Sequence, residues 1–325
     1  MTHARARREM LRATLLVAVS ACCFGSISPL TVIALKSGVA LQGIQAWRYV
    51  TTALLLMLYA AWRPSPVHAN AAQARGLGAA PWYSWRVLLV AGSGQASVAT
   101  LALLSLRWIP ASTSAFLFYT YPAWVAISTA VRGVEPLSAG RVIALLLALG
   151  GIGAMVGAPT ETSLNPTGVL VSLLAALVYA AYIPVLGALQ SKRAPLDVAR
   201  AIAVGGAVLF LTWALATETL FAHHDARSMA ASILQGVLSA GAFLGFLAGL
   251  SQLGSLRTAI TSTIEPFWTT LVGALVLGQS IGSATLVGGV AIMAAVLLLQ
   301  RPNVALPRLH SSTLHEGDHP GRPTP

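Results

Sequence analysis

Charged side chains are scarce in this sequence. Only 9% of its 325 residues are Asp, Glu, Lys or Arg, whereas 56% are hydrophobic. A soluble domain of this length needs far more polar surface, and runs of about 20 apolar residues are typical of membrane spans. The composition therefore indicates a polytopic membrane protein.

Cysteine is nearly absent as well. The only two, Cys22 and Cys23, are adjacent in the first apolar run. Neighbouring cysteines cannot form an ordinary structural disulfide with each other, and no group of residues in the sequence has metal-ligand spacing. We therefore expect neither a metal nor another cofactor.

The nine acidic residues are too scattered for intramembrane catalysis. A lipid or prenyl transferase would need clustered carboxylates at the membrane surface to hold metal and diphosphate, so we expect no enzyme. The net charge of +11 would suit nucleic acid in a soluble protein. Here the basic residues lie in short loops between apolar runs, where they orient a membrane protein instead, so we expect no nucleic-acid partner.

Ten apolar runs are near the length that a bilayer requires. They predict an all-α protein with ten transmembrane helices, preceded by a short segment, 1–14, and followed by a Pro/His/Ser-rich, disordered tail, 301–325. The predicted spans are 15–35, 43–61, 87–104, 111–131, 141–156, 168–189, 199–220, 231–250, 255–277 and 283–299.

The basic residues predict the orientation of these spans. If the N-terminus is inside, sixteen of the twenty Lys and Arg residues lie in cytoplasmic segments, three lie outside and one, Arg48, lies within a span. Such a bias favours two cytoplasmic termini and an even number of spans. We expect a multi-pass protein of the inner (plasma) membrane, as a monomer or a homodimer.

The two halves of the chain, 15–156 and 168–300, align with each other. An offset of 144 residues pairs Pro122 with Pro266 and Trp124 with Trp268. Because each half has an odd number of predicted spans, the second half would cross the membrane upside-down relative to the first. Two inverted five-helix repeats are common in secondary transporters, whose substrates bind near the midplane between the repeats.

Glu265 is an ionisable residue near the middle of the ninth span, directly before Pro266. A charged carboxylate at this depth is costly, so we expect it to be paired, hydrated or protonated. The sequence leaves two roles open: a site of proton coupling, or a neutral acid that holds two helices together. Pro122 and Pro266 each remove a helical hydrogen bond, which predicts a break in both helices.

Other polar and aromatic residues are predicted to line the same pathway. Arg48 could pair with Glu265, bind a substrate carboxylate or extend to the outer headgroups, and Gln95 is polar at mid-span. The remaining candidates for substrate contact are aromatic and share these spans or the sixth: Tyr121, Trp124, Tyr179 and Trp268. Aromatic faces suit planar, apolar or cationic solutes.

Four residues of this sequence occur together in the pattern of a known family. They are Arg48, the mid-helix prolines Pro122 and Pro266, and Glu135 after the fourth span. They resemble the EamA-type branch of the drug/metabolite transporter superfamily, over the whole membrane part of the chain. This resemblance implies ten helices in two inverted repeats and export of a small solute.

The chain departs from the family pattern at several positions. Phe24 and Tyr179 replace tryptophans, and Gln279 replaces a glutamate. Glu265 is not part of that pattern, so its role is inferred from its own position. We expect a secondary exporter of a small metabolite, amino acid or drug-like solute, with protons as the candidate coupling ion. An uncoupled facilitator, an intramembrane transferase and a non-transporting scaffold are the alternatives.

Overall fold

The computed structural model describes residues 3–62, 81–105, 108–109, 114, 117–134, 137–156, 165–222, 225–278 and 283–299. Glu135, Gln279 and the tail 301–325 therefore lie outside the described residues. Helices account for nearly all of the described chain. They are α1 (His3–Lys36), α2 (Leu41–Trp62), α3 (Trp85–Ser105), α4 (Tyr121–Val131), α5 (Ala139–Val156), α6 (Pro166–Gln190), α7 (Pro195–Ala216), α8 (Ala226–Leu253), α9 (Ser255–Thr261), α10 (Ile264–Leu277) and α11 (Ser283–Leu299).

Six helical segments of the described chain are long and apolar enough to cross a membrane. They are α1, α3, α6, α7, α8 and the consecutive pair α9–α10. Helix α2 has sufficient length, but Gln42, Gln45 and Arg48 make its first half polar. An all-α membrane protein is thus confirmed, while the layout of ten spans in inverted repeats stays a prediction.

The main helix contacts join the first half of the chain to the second. Helix α1 packs on α8 and α10, and α6 packs on α3 and α4. Helices α2 and α7 pack on each other, α2 also on α8, and α7 also on α3. The contacts of α5 with α11 and of α4 with α9 also cross between the halves. The largest hydrophobic cluster contains residues of both halves, so the halves share one core.

Small residues bring α1 and α8 close together. A Cβ atom on Gly245 would lie 2.9 Å from the backbone oxygen of Leu16, and one on Gly249 would lie 2.1 Å from a methyl group of Val17. Ser20 adds a hydrogen bond from its hydroxyl to the carbonyl of Ala242, at 2.7 Å. Gly241, one turn earlier on α8, has nothing within 4 Å of its would-be Cβ.

The start of α8 is fixed by a capping box. The Asp225 carboxylate accepts a hydrogen bond from the Ser228 amide at 2.8 Å, and the Asp225 amide donates to the Ser228 hydroxyl at 3.0 Å. Ser37, just after α1, donates to the same carboxylate at 3.3 Å. The hydrogen bonds from Ser228 hold the pKa of Asp225 below its ordinary value.

The glycines on α8 allow a matched pair of substitutions. We expect Gly245→Ala to lower the thermal midpoint of the purified protein, because a new methyl group meets backbone that cannot move aside. Gly241→Ala should leave the midpoint unchanged or raise it, since alanine is favoured over glycine within a helix by about 0.5–1 kcal/mol. Equal effects of the two substitutions would show that α1 and α8 do not pack as described.

The capping box predicts a pH-dependent contribution to stability. Because the folded pKa of Asp225 is lowered, its contribution is complete above about pH 4 and is lost as the pH falls through the folded pKa. Asp225→Ala should therefore lower the thermal midpoint at neutral pH. The difference from the parent protein should shrink in acid, and a difference that is constant with pH would contradict this account.

Candidate functional site

The ninth predicted span is interrupted before Pro266. Helix α9 ends at Thr261, Ser262 and Thr263 form a turn, and α10 begins at Ile264. The carbonyl of Ser262, which proline deprives of its usual partner, accepts the Glu265 amide at 3.0 Å. The break is therefore a tight turn with hydrogen bonds three residues apart along the chain, and Glu265 lies in the first turn of the new helix.

The break in the fourth span is built in a similar way. Tyr119 and Thr120 form a turn, and Pro122 lies in the first turn of α4. Amides in the first turn of a helix have no partner within the helix, so the missing amide of proline costs no hydrogen bond there. In each turn a threonine hydroxyl, that of Thr120 or of Thr263, donates a hydrogen bond to the carbonyl three residues earlier. Both bonds are 2.6 Å long. In each of these two spans the helix is interrupted just before its proline.

A hydrogen bond links the two breaks. In the turn before α10, the amide of Thr263 bonds to the carbonyl of Ile260 at 3.1 Å, so it is diverted from the carbonyl of Ala259. The Tyr121 hydroxyl donates to that Ala259 carbonyl at 3.2 Å. Tyr121 is almost fully buried, so this carbonyl is satisfied by protein and not by lipid.

Helix α1 holds the start of α10 from the other side. A Cβ on Gly25 would lie 2.8 Å from the backbone oxygen of Glu265, so only glycine allows this approach. The Thr269 hydroxyl donates to the Gly25 carbonyl, and the Trp268 indole donates to the Ser26 hydroxyl, both at 2.9 Å. These contacts fix the position of the Glu265 side chain relative to α1.

A cavity of about 190 Å³ lies beside the breaks. It extends from Glu265 and Phe118 towards the end of the bundle where α1 ends and α2 begins. Its walls mix apolar, aromatic and hydrogen-bonding side chains with one acid and one guanidinium. The lining residues are Phe24, Ile27, Ser28, Thr31, Leu41, Gln45, Arg48, Gln95, Val98, Ala99, Ala102, Leu103, Phe118, Tyr179 and Glu265.

Glu265 is half-buried in an aromatic part of this wall. Tyr119 lies near its carboxyl group. The Phe118 and Tyr179 rings stack with their centroids 5.6 Å apart, and the Tyr121 ring meets Tyr179 edge-on at 4.7 Å. A carboxylate among aromatic faces is a suitable environment for a proton or an organic cation.

Arg48 is buried in the wall of the same cavity, with only 7% of its surface exposed. Its Nε donates to the Ser239 hydroxyl at 2.7 Å, and a terminal nitrogen donates to the side-chain oxygen of Gln45 at 3.3 Å. Its guanidinium also lies over the Tyr49 ring, 5.1 Å from the centroid. Arg48 therefore points inward and does not extend to the headgroups, and among the described residues it forms no salt bridge with Glu265.

The predicted site residues divide into two groups. Arg48, Gln95, Tyr179 and Glu265 line the cavity together. Tyr121, Trp124 and Trp268 are not part of its wall: Tyr121 lies behind Tyr179, and Trp268 is bonded to α1. The buried indole nitrogen of Trp124 has no hydrogen-bond partner within the described part of the chain.

Sequence reasoning missed several residues of the site. Gln45 lies one turn before Arg48 on α2, and this spacing could have been noticed. Thr31 and Ser28 on α1 likewise share a helical face. The partner of Arg48, Ser239, is 191 residues away and carries no signal that relates it to Arg48.

A second cavity, of about 430 Å³, adjoins the first. The two cavities share Leu41, Gln45 and Leu103, and the second one is mainly apolar. Its lining residues are Leu41, Gln42, Gln45, Thr100, Leu103, Leu104, Phe210 and Trp213. The described residues contain no cluster of three or more His, Cys, Asp or Glu that could hold a metal ion.

The sequence pattern of the EamA-like transporter family matches residues 166–301, which contain α6 to α11 and therefore Glu265. This region, which is less than half of the chain, is similar to the EamA-like transporter family. The family is part of the drug/metabolite transporter superfamily, so the resemblance inferred from the sequence is confirmed.

The other comparisons add the fold only. A solved structure described as "Crystal structure of protein" has a TM-score of 0.72 to this chain at 16% sequence identity. The match covers 89% of this chain and 98% of that one. No curated protein matches the sequence.

The link between the breaks can be tested by Tyr121→Phe. Losing the hydroxyl leaves the buried Ala259 carbonyl without its donor, which costs about 1–3 kcal/mol, so the thermal midpoint should fall. Tyr59→Phe, at an exposed position of α2, is the matched control and should have little effect. Equal midpoints for the two variants would show that the hydroxyl of Tyr121 does not join the breaks.

Proposed function

We propose that this protein is a proton-coupled secondary transporter that exports a small solute across the inner membrane by alternating access. The solute class is a small metabolite, amino acid or drug-like molecule. The observation that carries the proposal is the cavity at the two helix breaks, in which Glu265 and Arg48 face the same space without forming an ion pair. Two unpaired charges in a membrane interior favour a role in binding over one in packing.

The helix contacts support two inverted repeats. If spans one to five are exchanged with spans six to ten, the contact of α1 with α8 becomes that of α6 with α3, and the contact of α2 with α8 becomes that of α7 with α3. The contact of α1 with α10 becomes that of α6 with α4, whereas α2–α7 and α5–α11 map onto themselves. This exchange pattern is what a two-fold axis between the halves would produce.

The position of the cavity supports an outward-facing state. With the N-terminus inside, the end of α1, the start of α2 and the end of α3 lie at the outer surface, and the cavity extends towards them. The opposite end is tightly packed. There the Tyr182 hydroxyl donates to the Ala91 carbonyl, and the Gln190 amide donates to the Leu247 carbonyl at 2.6 Å. Export would require the halves to rock so that this end opens.

Competition at Glu265 supplies the coupling. A proton and a solute cation cannot both neutralise one carboxylate, so each lowers the affinity for the other, and this coupling is reciprocal. A proton arriving from outside would release the solute there and return the carrier inward. The groups that face Glu265 from the surrounding elements are Cys22, Arg48, Tyr119, Tyr121 and Tyr179.

An uncoupled facilitator or exchanger is the second candidate. It is favoured by the position of Glu265 near Tyr119, because a neutral acid at this place could simply hold α10 against the turn before α4. Transport would then follow the solute gradient alone.

Proteoliposome transport of ethidium and of labelled amino acids, with and without an imposed proton gradient, distinguishes these functions. We expect the gradient to accelerate transport by the parent protein, while Glu265→Gln should lose this acceleration and bind the cationic solute more weakly. Glu218→Gln, at an exposed loop position, is the matched control and should behave as the parent does. If Glu265→Gln still responds fully to the gradient, Glu265 is not the coupling site.

A further inference from the structure

The guanidinium of Arg48 is a buried charge that neutral partners hold in place. Its two side-chain hydrogen bonds go to the hydroxyl of Ser239 and the amide oxygen of Gln45. Within the described residues no carboxylate lies at ion-pair distance. A buried cation is costly unless an anion accompanies it, so this arrangement is incomplete as it stands.

A second buried group in this region has unused hydrogen-bonding capacity. Gln235 lies one turn before Ser239 on α8 and is fully buried. The side-chain oxygen of Gln235 accepts a hydrogen bond from the Thr31 hydroxyl at 3.2 Å. The side-chain nitrogen of Gln235 has no partner among the described residues. Thr31 itself lines the cavity. Gln235 itself has no exposed surface and is not part of the cavity wall, so it lies behind Thr31.

The contact between α2 and α8 brings these donors together. The Thr52 hydroxyl donates to the Gly236 carbonyl at 3.0 Å, and a Cβ on Gly236 would lie 2.8 Å from the Arg48 carbonyl. Because Gly236 directly follows Gln235, the amide of Gln235 and the guanidinium of Arg48 belong to one region of the interface. The Gln45 amide turns its oxygen to Arg48, which leaves its nitrogen as a further donor.

We propose that Arg48 and Gln45, both in the cavity wall, form a carboxylate-binding subsite, separate from the carboxyl group of Glu265. This inference rests on the proposed transport function and names the chemistry of its solute: a molecule with a carboxylate at Arg48 and a cationic nitrogen at Glu265. A guanidinium binds a carboxylate through two parallel hydrogen bonds, whereas a spherical chloride ion cannot use that geometry. The cavity volume of about 190 Å³ favours a compact solute over a polyphosphate.

The adjoining apolar cavity extends this description. It shares Gln45 with the charged cavity, and its wall includes the rings of Phe210 and Trp213. A solute whose charged groups lie between Arg48 and Glu265 would direct its apolar part past Gln45 into this space. The solute class is therefore amphipathic, with the charged head in the smaller cavity.

Acetate is a suitable probe because it carries a carboxylate and almost nothing else. The full chain in detergent is titrated with sodium acetate against sodium chloride at equal ionic strength, and the thermal midpoint is followed. Ligands that bind the folded form raise this midpoint. We expect acetate to stabilise the parent protein more than chloride does, with an apparent affinity reduced about tenfold or more in Arg48→Gln.

Two further variants complete the test. Arg227→Gln removes an exposed arginine at the start of α8 and should keep the full acetate response. Gln45→Leu leaves Arg48 in place and should weaken the response, which keeps the proposal testable if Arg48→Gln does not fold. An acetate response equal to that of chloride in the parent protein, or unchanged in both site variants, would overturn the subsite. Proton-driven transport that persists alongside such a result would leave the role of Glu265 standing.

Discussion

The structure depends on one constraint: an interrupted helix at membrane depth must satisfy its free backbone groups within the protein, because lipid offers no hydrogen bonds. In both breaks, local turns satisfy some of these groups, because amides in the turns bond to carbonyls three residues earlier in the chain. The remaining carbonyl, at Ala259, is satisfied by the Tyr121 hydroxyl from the opposite break. The two breaks therefore stabilise each other, and the residues beside them face a shared cavity instead of the bilayer.

The two halves use this arrangement differently. Tyr121 and Glu265 precede corresponding prolines, but Tyr121 is buried as a structural donor, whereas Glu265 lies in the cavity wall. Likewise, the indole of Trp268 bonds to α1, while that of Trp124 has no partner in the described chain. Related positions thus have different roles: the residue before the proline is structural in the first half and faces the cavity in the second, whereas of the two tryptophans it is the one in the second half that bonds to a neighbouring helix.

The helical character of this fold could be predicted from the sequence, since apolar runs and two prolines are local signals. The turns themselves were less accessible, because hydroxyls of Thr120 and Thr263 shift each break to the residues before its proline. Helical periodicity placed Tyr121 and Trp268 on polar faces but could not tell which neighbour each face meets. The surroundings of Arg48 depend on Ser239 and Gln235, and no local pattern relates residues so distant in sequence.

The most direct test of this account is the accessibility of positions 121 and 265 to a membrane-impermeant thiol reagent. In a background without Cys22 and Cys23, single cysteines are placed at Tyr121 and Glu265 and labelled from the outside of intact cells. The account predicts labelling at position 265 and protection at position 121. Protection of both positions, or equal labelling of both, would contradict a solute cavity that contains Glu265 and is sealed behind Tyr121.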